Sequence, residues 1–400
     1  MKKLLLLGGS RFLLPVIREA KSLGCHTVTC DYLPDNIAHR YSDEYHNVSI
    51  IDREAVLALA RELQIDGIMS FGCDPGVVTA AYMAEQMGLP NVGPYESVAI
   101  LQDKGRFRAF LREHGFTVPA SRVFSAKAEA LAAGVFRYPV IVKPVDSAGS
   151  KGVSRVDEPE GLPAAYDNAE AHSLCGRVIV EEFIEQQGFA SDTESFTVDG
   201  ELCFASFNNQ YFDKRAANPY TPAGFTWPST MPAEIQAELR SELQRLLRLL
   251  NMGTAVYNIE CRMGTDGRAY LMEVSPRGGG NRLCEMLHYT TGQNLIRCAV
   301  QAALGLPFEA PHDPEYSGHW SYVALHSYVS GRFSGLKIAE AVRPYLVEED
   351  LWVHPGDPIE AFSGANKTIG TLVLNWPTEE MRDRCMADIP AWLSILTEEN

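Results

Sequence analysis

The nine cysteines of this 400-residue chain are scattered without a single CxxC pair, a usage that points to a reducing cytoplasm. Positive charge is scarce. Lys and Arg total 35 against 51 Asp and Glu, for a formal net charge of −16, which argues against nucleic acid or an anionic membrane as the main partner because both need a basic face. Local basic pockets remain open. No apolar stretch approaches the roughly 20 residues of a membrane span, and the opening MKKLLLLGGS is too short an apolar run for a signal peptide and lacks a small-residue cleavage site. Low-complexity tracts and internal repeats are absent, so the whole chain is expected to fold. Neither GxGxxG nor the Walker sequence GxxxxGK[ST] occurs. What is there is ordinary globular material, 46% hydrophobic, and too long for one core, so about two to four domains are expected.

The most informative stretch runs from Val256 to Arg277. Two apolar-rich runs, Ala255 to Arg262 and Arg268 to Val274, flank Asp266-Gly267, a strong signal for a tight β-hairpin turn. With that pair at the turn, Glu260 faces Glu273 and Asn258 faces Ser275. Like charges directly opposite one another destabilise a sheet, so a divalent metal with oxygen ligands, a shared proton, or nearby Arg262 and Arg277 must offset the repulsion; the alternative is a solvated polar face. Strand alternation puts Ala255, Tyr257 and Ile259 with Tyr270, Met272 and Val274 on a core face, and the two glutamates with Asn258 and Ser275 on a polar one. Ser275-Pro276-Arg277-Gly278-Gly279-Gly280 then sets a cation and a flexible backbone beside the acids.

Earlier in the chain, runs at Lys3–Leu7, His26–Asp31 and Gly67–Phe71 alternate with helical patterns, as in a parallel sheet with a site at its carboxyl edge. Gly8-Gly9-Ser10 lacks the later glycines of a dinucleotide fingerprint, Asp31 reads as an ordinary strand end, and loop Gly72–Gly76 is a candidate substrate contact. One amphipathic helix is expected over Ser97–His114, carrying Asp103 and Lys104. A strand over Val140–Val142 ends in Lys143, whose burial is costly without an anion nearby. The small, glycine-rich run Asp146–Val153 follows, between two strands. Arg177–Ile184 reads as a strand, Glu185–Thr193 as loop and Glu194–Val198 as strand. Tyr211–Thr230 is a long irregular segment of the kind that carries function; Pro232–Leu250 and Cys284–Leu304 read as helices. In the last ninety or so residues, Trp320–Val329 and Gly370–Leu374 read as strands, Leu336–Val342 as a short helix, and a closing helix starts at Thr378, together a small α+β subdomain. His319, His326 and His354 show no metal spacing.

This order of motifs resembles the ATP-grasp superfamily, specifically its carboxylate–amine ligases with a preceding Rossmann-like, biotin carboxylase-like domain, and among them the L-amino acid ligases that form dipeptides. The resemblance implies a mixed α/β and α+β multidomain fold: a Rossmann-like domain over 1–103, an ATP-grasp domain over 104–310 with a lid at about 120–185, and a C-terminal α+β subdomain over 311–400. It implies ATP and Mg²⁺ or Mn²⁺ as cofactors. Lys104 and Lys143 match the lysines that contact ATP phosphates. Gly149, Ser150 and Gly152 match the phosphate-covering loop, Glu181, Glu182, Phe183 and Ile184 the adenine hinge, and Glu194 the ribose glutamate. Glu260 and Glu273 look like the paired metal ligands. Ser275 stands where the family usually has a third ligand, asparagine, and Asn258 is its cross-strand substitute. Arg277 resembles the arginine that steadies the transferring phosphoryl group, and Arg282 and Lys214 join it as catalytic candidates.

The implied reaction joins a small-molecule carboxylate, activated as an acyl phosphate, to an amine, with amino acids as candidate substrates. The alternatives are a carboxylase or ligase acting on a nucleotide precursor or cofactor, and a catalytically inactive ATP-binding protein. Relatives of this kind often form homodimers, although no residue here singles out an interface.

Overall fold

The computed structural model describes residues 1–134 and 136–398. Val135, Glu399 and Asn400, within the expected lid and last subdomain, lie outside the described residues. The first sheet is parallel, ordered Glu44–His46, His26–Cys30, Lys3–Leu7, Gly67–Ser70. Leu4 to Leu7 have no exposed surface, as expected of a strand covered on both faces. Three of these strands were legible from their apolar runs; Glu44–His46, an edge strand of polar residues, was not.

The helix expected over Ser97–His114 is two helices, Tyr95–Gln102 and Lys104–Glu113. Asp103 divides them: it has extended backbone, and its carboxylate caps the second helix by accepting the Arg106 N–H at 3.0 Å. Cys284–Leu304 divides in the same way at Gly292, and Asn294 caps the second piece. Across each break the apolar residues still enter one cluster, Val98 and Leu101 with Phe107 and Leu111, and Leu283 and Leu287 with Leu295 and Val300.

Two antiparallel four-stranded sheets follow. The lid sheet is ordered Ser121–Phe124, Val178–Glu182, Val140–Pro144, Ser154–Val156. The central sheet is ordered Glu201–Ala205, Ser191–Val198, Ala255–Met263, Ala269–Ser275. Its second strand starts at Ser191, within the stretch expected to be loop. The Tyr211–Thr230 segment is also more regular than its three prolines suggest, since Asn209–Phe212 and Pro222–Trp227 are strands. Pro222 sits at the first position of its strand, where the missing N–H costs little. Both join a five-stranded sheet with His319–Leu325, Gly370–Trp376 and Leu346–Leu351, which crosses the boundary expected near residue 310. Leu336–Val342 is not a helix; Gly331–Ile338 is a strand paired with Leu393–Glu398, which follows the closing helix Glu379–Ala387.

One apolar cluster ties these layers together, running from Leu4 and Leu6 through Phe196, Val256 and Leu287 to Phe225, Trp227, Tyr322 and Val373. At roughly 1.5–3 kcal/mol for each large side chain removed from water, it makes the first sheet, the central sheet and the last sheet mutually dependent. Among the described residues no helix is long and apolar enough to cross a membrane.

Candidate active site

The hairpin forms, with Asn258 opposite Ser275 and Glu260 opposite Glu273 as expected, although nearer the turn the register is one residue off, with Met263 opposite Ala269; Gly267 takes a left-handed backbone at φ 74°. A bulge after Glu260 follows the acids. Each glutamate is about one-third exposed and has its own cation: Glu260 Oε1 lies 2.6 Å from Arg262 Nη2, and Glu273 Oε2 lies 3.5 Å from Lys104 Nζ. The repulsion between two facing carboxylates is thereby offset.

The central sheet adds two acids to this face. Strand Ser191–Val198 pairs with the hairpin so that Asp192 faces Glu260 and Glu194 faces Asn258. Asp192 was missed because its segment reads as loop; the signal that could have found it is the two-residue spacing to Glu194 in a Ser/Thr-rich run. Burial, reinforced by Glu260, pushes the Asp192 carboxyl up to about 7. Asn258 donates to Asp192 Oδ1 at 2.8 Å and accepts from Arg277 Nη1 at 3.0 Å. Both ends of its amide are used, so it does not stand in for a metal-ligating asparagine.

Ser275 is fully buried; it donates to Asp74 Oδ1 at 3.0 Å and accepts from Gln102 Nε2 at 2.8 Å. Its hydroxyl therefore serves the contact with the first domain, contrary to the expected role as metal ligand. Arg277 makes the same contact, donating from Nε and Nη2 to Asp74 Oδ1 at 2.9 and 2.6 Å. Burial would raise the Asp74 carboxyl, but the guanidinium overrides it and holds the group below its usual range. All three donors converge on Oδ1; among the described residues none reaches Oδ2. The three glycines after Arg277 are not a flexible segment. A Cβ on Gly278 would lie 2.1 Å from Phe71, one on Gly279 2.6 Å from Glu194, and one on Gly280 3.1 Å from Phe12. They let the strand end press against the first domain.

Glu194 is sealed from solvent, with Oε1 accepting the Gly279 N–H at 2.8 Å and Oε2 unpartnered among the described residues. That corrects the expectation of a ribose contact; the accessible acid on this strand is Asp192. Burial pushes the Glu194 carboxyl up to about 8, so at neutral pH it carries a proton. A carboxyl whose pKa is raised on folding stabilises the fold below its unfolded pKa, here 4.5, and loses that contribution as pH rises through about 8. Glu194→Gln should match the wild type near pH 5 and be the more stable protein above pH 8, as read by denaturation midpoints against pH. Equal pH slopes for the two proteins would show that Glu194 is ionised in the fold.

Glu181, expected at the adenine hinge, is buried on two cations. It is 2% exposed, pairs with Arg108 Nε at 3.0 Å and Lys143 Nζ at 2.5 Å, and is held down to about 2 by those cations against its burial. Lys143 therefore has its anion. The strand ends at Glu182, which like Phe183 is partly exposed, while Ile184 is buried, and Arg155 stacks on Phe183 at 4.4 Å. In the glycine-rich loop Gly149, Ser150 and Gly152 all have positive φ. Ser150 is held there by donating to the Tyr220 carbonyl at 3.1 Å, while Asn218 Nδ2 donates to the Ser150 and Ser363 carbonyls. Asn218 thus latches the loop to the last subdomain. Lys104 Nζ reaches the Ser147 carbonyl at 3.0 Å.

Two of the expected catalytic residues lie elsewhere. Lys214 is exposed and, among the described residues, makes no hydrogen bond or ion pair; its neighbour Asp213 holds Tyr328 and Arg215 instead. Arg282 is tied to Glu348 at 2.8 Å and Glu285 at 3.2 Å, an anchor for the last subdomain. Contacts link Lys104 to Glu273 and the Ser147 carbonyl, Lys143 to Glu181, Arg277 to Asp74 and Asn258, and Asn258 to Asp192.

Residues 136–285 match the ATP-grasp domain family. The chain is 29% identical to a formate-dependent phosphoribosylglycinamide formyltransferase of Parasynechococcus marenigrum, over 76% of this chain and 77% of that protein. Its fold is similar to that of an L-amino acid ligase from Bacillus licheniformis, with a TM-score of 0.82 at 21% identity over 100% of this chain and 99% of the other. It is also similar to a phosphoribosylglycinamide synthetase from Anaerococcus prevotii, with a TM-score of 0.74 at 20% identity over 99% and 100% of the two chains. Lys143, the glycine-rich run Asp146–Val153 and the facing acids Glu260 and Glu273 lie, in that order, within residues 136–285, the part of the chain that matches the ATP-grasp domain family.

Proposed function

We propose that the chain joins two amino acid-like substrates, activating the carboxylate of one as an acyl phosphate and coupling it to the amine of the other, with release of ADP and phosphate. The observation that carries the amine half of this reading is Asp74. It is ionised, sits at the carboxyl edge of the first sheet, and keeps Oδ2 open while Oδ1 takes every donor from Ser275 and Arg277. A substrate ammonium is the natural partner for that oxygen.

Charge at this edge supports the same class. Arg277 is matched by Asp74, and Arg282 by Glu285 and Glu348, while Arg11 stacks on Trp352. Surplus positive charge for a substrate phosphate is therefore small. The second reading, a small carboxylate such as formate joined to a phosphoribosylated amine, is favoured by the sequence relatives of that name.

For the nucleotide, Lys104 and Lys143 neutralise phosphate oxygens, and the N–H groups of Asp146–Val153 cover them. Among the described residues no three His, Cys, Asp or Glu form a metal cage, and two carboxylates plus substrate phosphates suit Mg²⁺ or Mn²⁺, which keep few protein ligands. Glu260 and Glu273 would hold such an ion, which when bound supplies charge neutralisation at the transferring phosphoryl group. Arg277 keeps Asn258 and Asp74 in place beside it. An acyl phosphate hydrolyses readily, and the Asn218 latch between the glycine-rich loop and residue 363 closes the cleft to water.

The test is ADP and phosphate release with ATP and Mg²⁺ across free amino acids, singly and in pairs, and with formate plus ribosylated amines. Release that requires one amino acid pair, with a dipeptide mass appearing, is the expected result. Release only with formate and a phosphoribosyl amine would replace this reading by the second.

A further inference from the structure

Helix Lys104–Glu113 presents Lys104 and Arg108 four residues apart, on one face, and each cation spans the same gap between two sheets. Lys104 joins the Ser147 carbonyl of the glycine-rich loop to Glu273. Arg108 donates from Nε to Glu181 Oε2 in the lid sheet at 3.0 Å, and from Nη1 to the carbonyl of Met272, beside Glu273, at 2.8 Å. Glu181 Oε1 in turn holds Lys143 Nζ at 2.5 Å. The side chains of Arg108 and Glu181 are 1% and 2% exposed. Burying an ion pair this completely adds little stability, because desolvation offsets the Coulomb gain. What it does provide is a fixed distance.

We infer that Arg108 and Glu181 are positioning residues of the ATP site: Glu181 orients the Lys143 ammonium, and Arg108 ties Glu181 to the strand that carries Glu273. The chain Lys143–Glu181–Arg108–Met272 sets the separation between a phosphate lysine on the lid sheet and an acid on the central sheet. This rests on the reading of Lys143 and Glu273 given above.

The two links act on Lys143 with opposite sign. Lys143 is faced by Glu181 from the adjacent strand and by Arg108 and Lys104 from the helix, and its burial already lowers the ammonium pKa. Only Glu181 favours the charged form. Removing that carboxylate lowers the lysine pKa further, whereas removing Arg108 takes away a repelling cation.

The experiment measures direct ATP binding and the pH profile of kcat/KM for ATP in Glu181→Gln, Arg108→Met and Arg108→Lys, with Lys143→Ala as reference and a denaturation midpoint for each. Glu181→Gln and Arg108→Met should each weaken ATP about tenfold or more. Glu181→Gln should also move the alkaline limb about one unit downward, Arg108→Met should not, and Arg108→Lys should recover part of the affinity. Wild-type ATP affinity in Arg108→Met and Glu181→Gln, alongside weakened binding in Lys143→Ala, would overturn the positioning chain and leave the ATP site standing. Unchanged affinity in Lys143→Ala would overturn the reading of the site itself, and the positioning chain with it.

Discussion

Glu273→Gln lowers ADP formation by about two to three orders of magnitude and leaves the fold intact. The size follows from the proposed ligand count: with no group of three His, Cys, Asp or Glu placed to hold a metal among the described residues, the ion would rest on Glu260 and Glu273, and losing one charge of two would remove stabilisation from the step where phosphoryl charge develops. A single electrostatic contact of that kind is worth about 10²–10³ in rate. Stability moves little because Glu273 is one-third exposed and its Lys104 contact is 3.5 Å long, a class of pair worth about 0–1 kcal/mol. Relief of the repulsion with Glu260 acts in the opposite direction. Steady-state ADP release and a thermal midpoint check both halves. An active variant would remove Glu273 from the metal site.

Arg277→Met destabilises the protein by about 3–5 kcal/mol, the usual cost of leaving one partner of a buried pair uncompensated. Arg277 is 8% exposed and Asp74 18%, so the remaining carboxylate has limited access to water. The same substitution frees the Asn258 carbonyl, so activity falls with stability. Adding Asp74→Asn removes the stranded charge and should recover most of the stability but not the activity, since Oδ2 is lost as an amine acceptor. Denaturant midpoints of the two single variants and the double variant form the cycle. A midpoint for Arg277→Met within about 0.5 kcal/mol of the wild type would mean that the first domain swings open at no cost.

The parts of the site legible in the sequence are those made by local geometry. Asp266-Gly267 marks the hairpin, but the register beside the turn pairs Met263 with Ala269, and the one-residue bulge after Glu260 is what brings Glu260 opposite Glu273. Glycine-rich composition marks the 146–153 loop, since positive φ at Gly149 and Gly152 is a local demand, whereas Ser150 is held at positive φ by the distant Tyr220 carbonyl. Helix breaks at Asp103 and Gly292 were also written locally, as a capping side chain and a left-handed residue, but continuous amphipathic patterns masked them.

What sequence could not supply is the identity of partners that arrive from far along the chain. Glu181 and Glu182 are neighbours of the same type, and only the packing of helix Lys104–Glu113 against the lid sheet turns Glu181 inward onto Arg108 and Lys143. Ser275 looks like a weakened metal ligand until Asp74, 201 residues away, takes its proton donor. Asp192 and Glu194 share a strand face, yet one is left accessible and the other sealed by Gly279. Local turn propensity and alternation therefore determined the hairpin that carries the two acids, the glycine-rich loop and the order of elements, and the bulge after Glu260 set the acids opposite one another. Tertiary packing decided which of the remaining charged groups meet ligand and which meet each other, because a buried charge takes whatever partner the fold brings within hydrogen-bond reach.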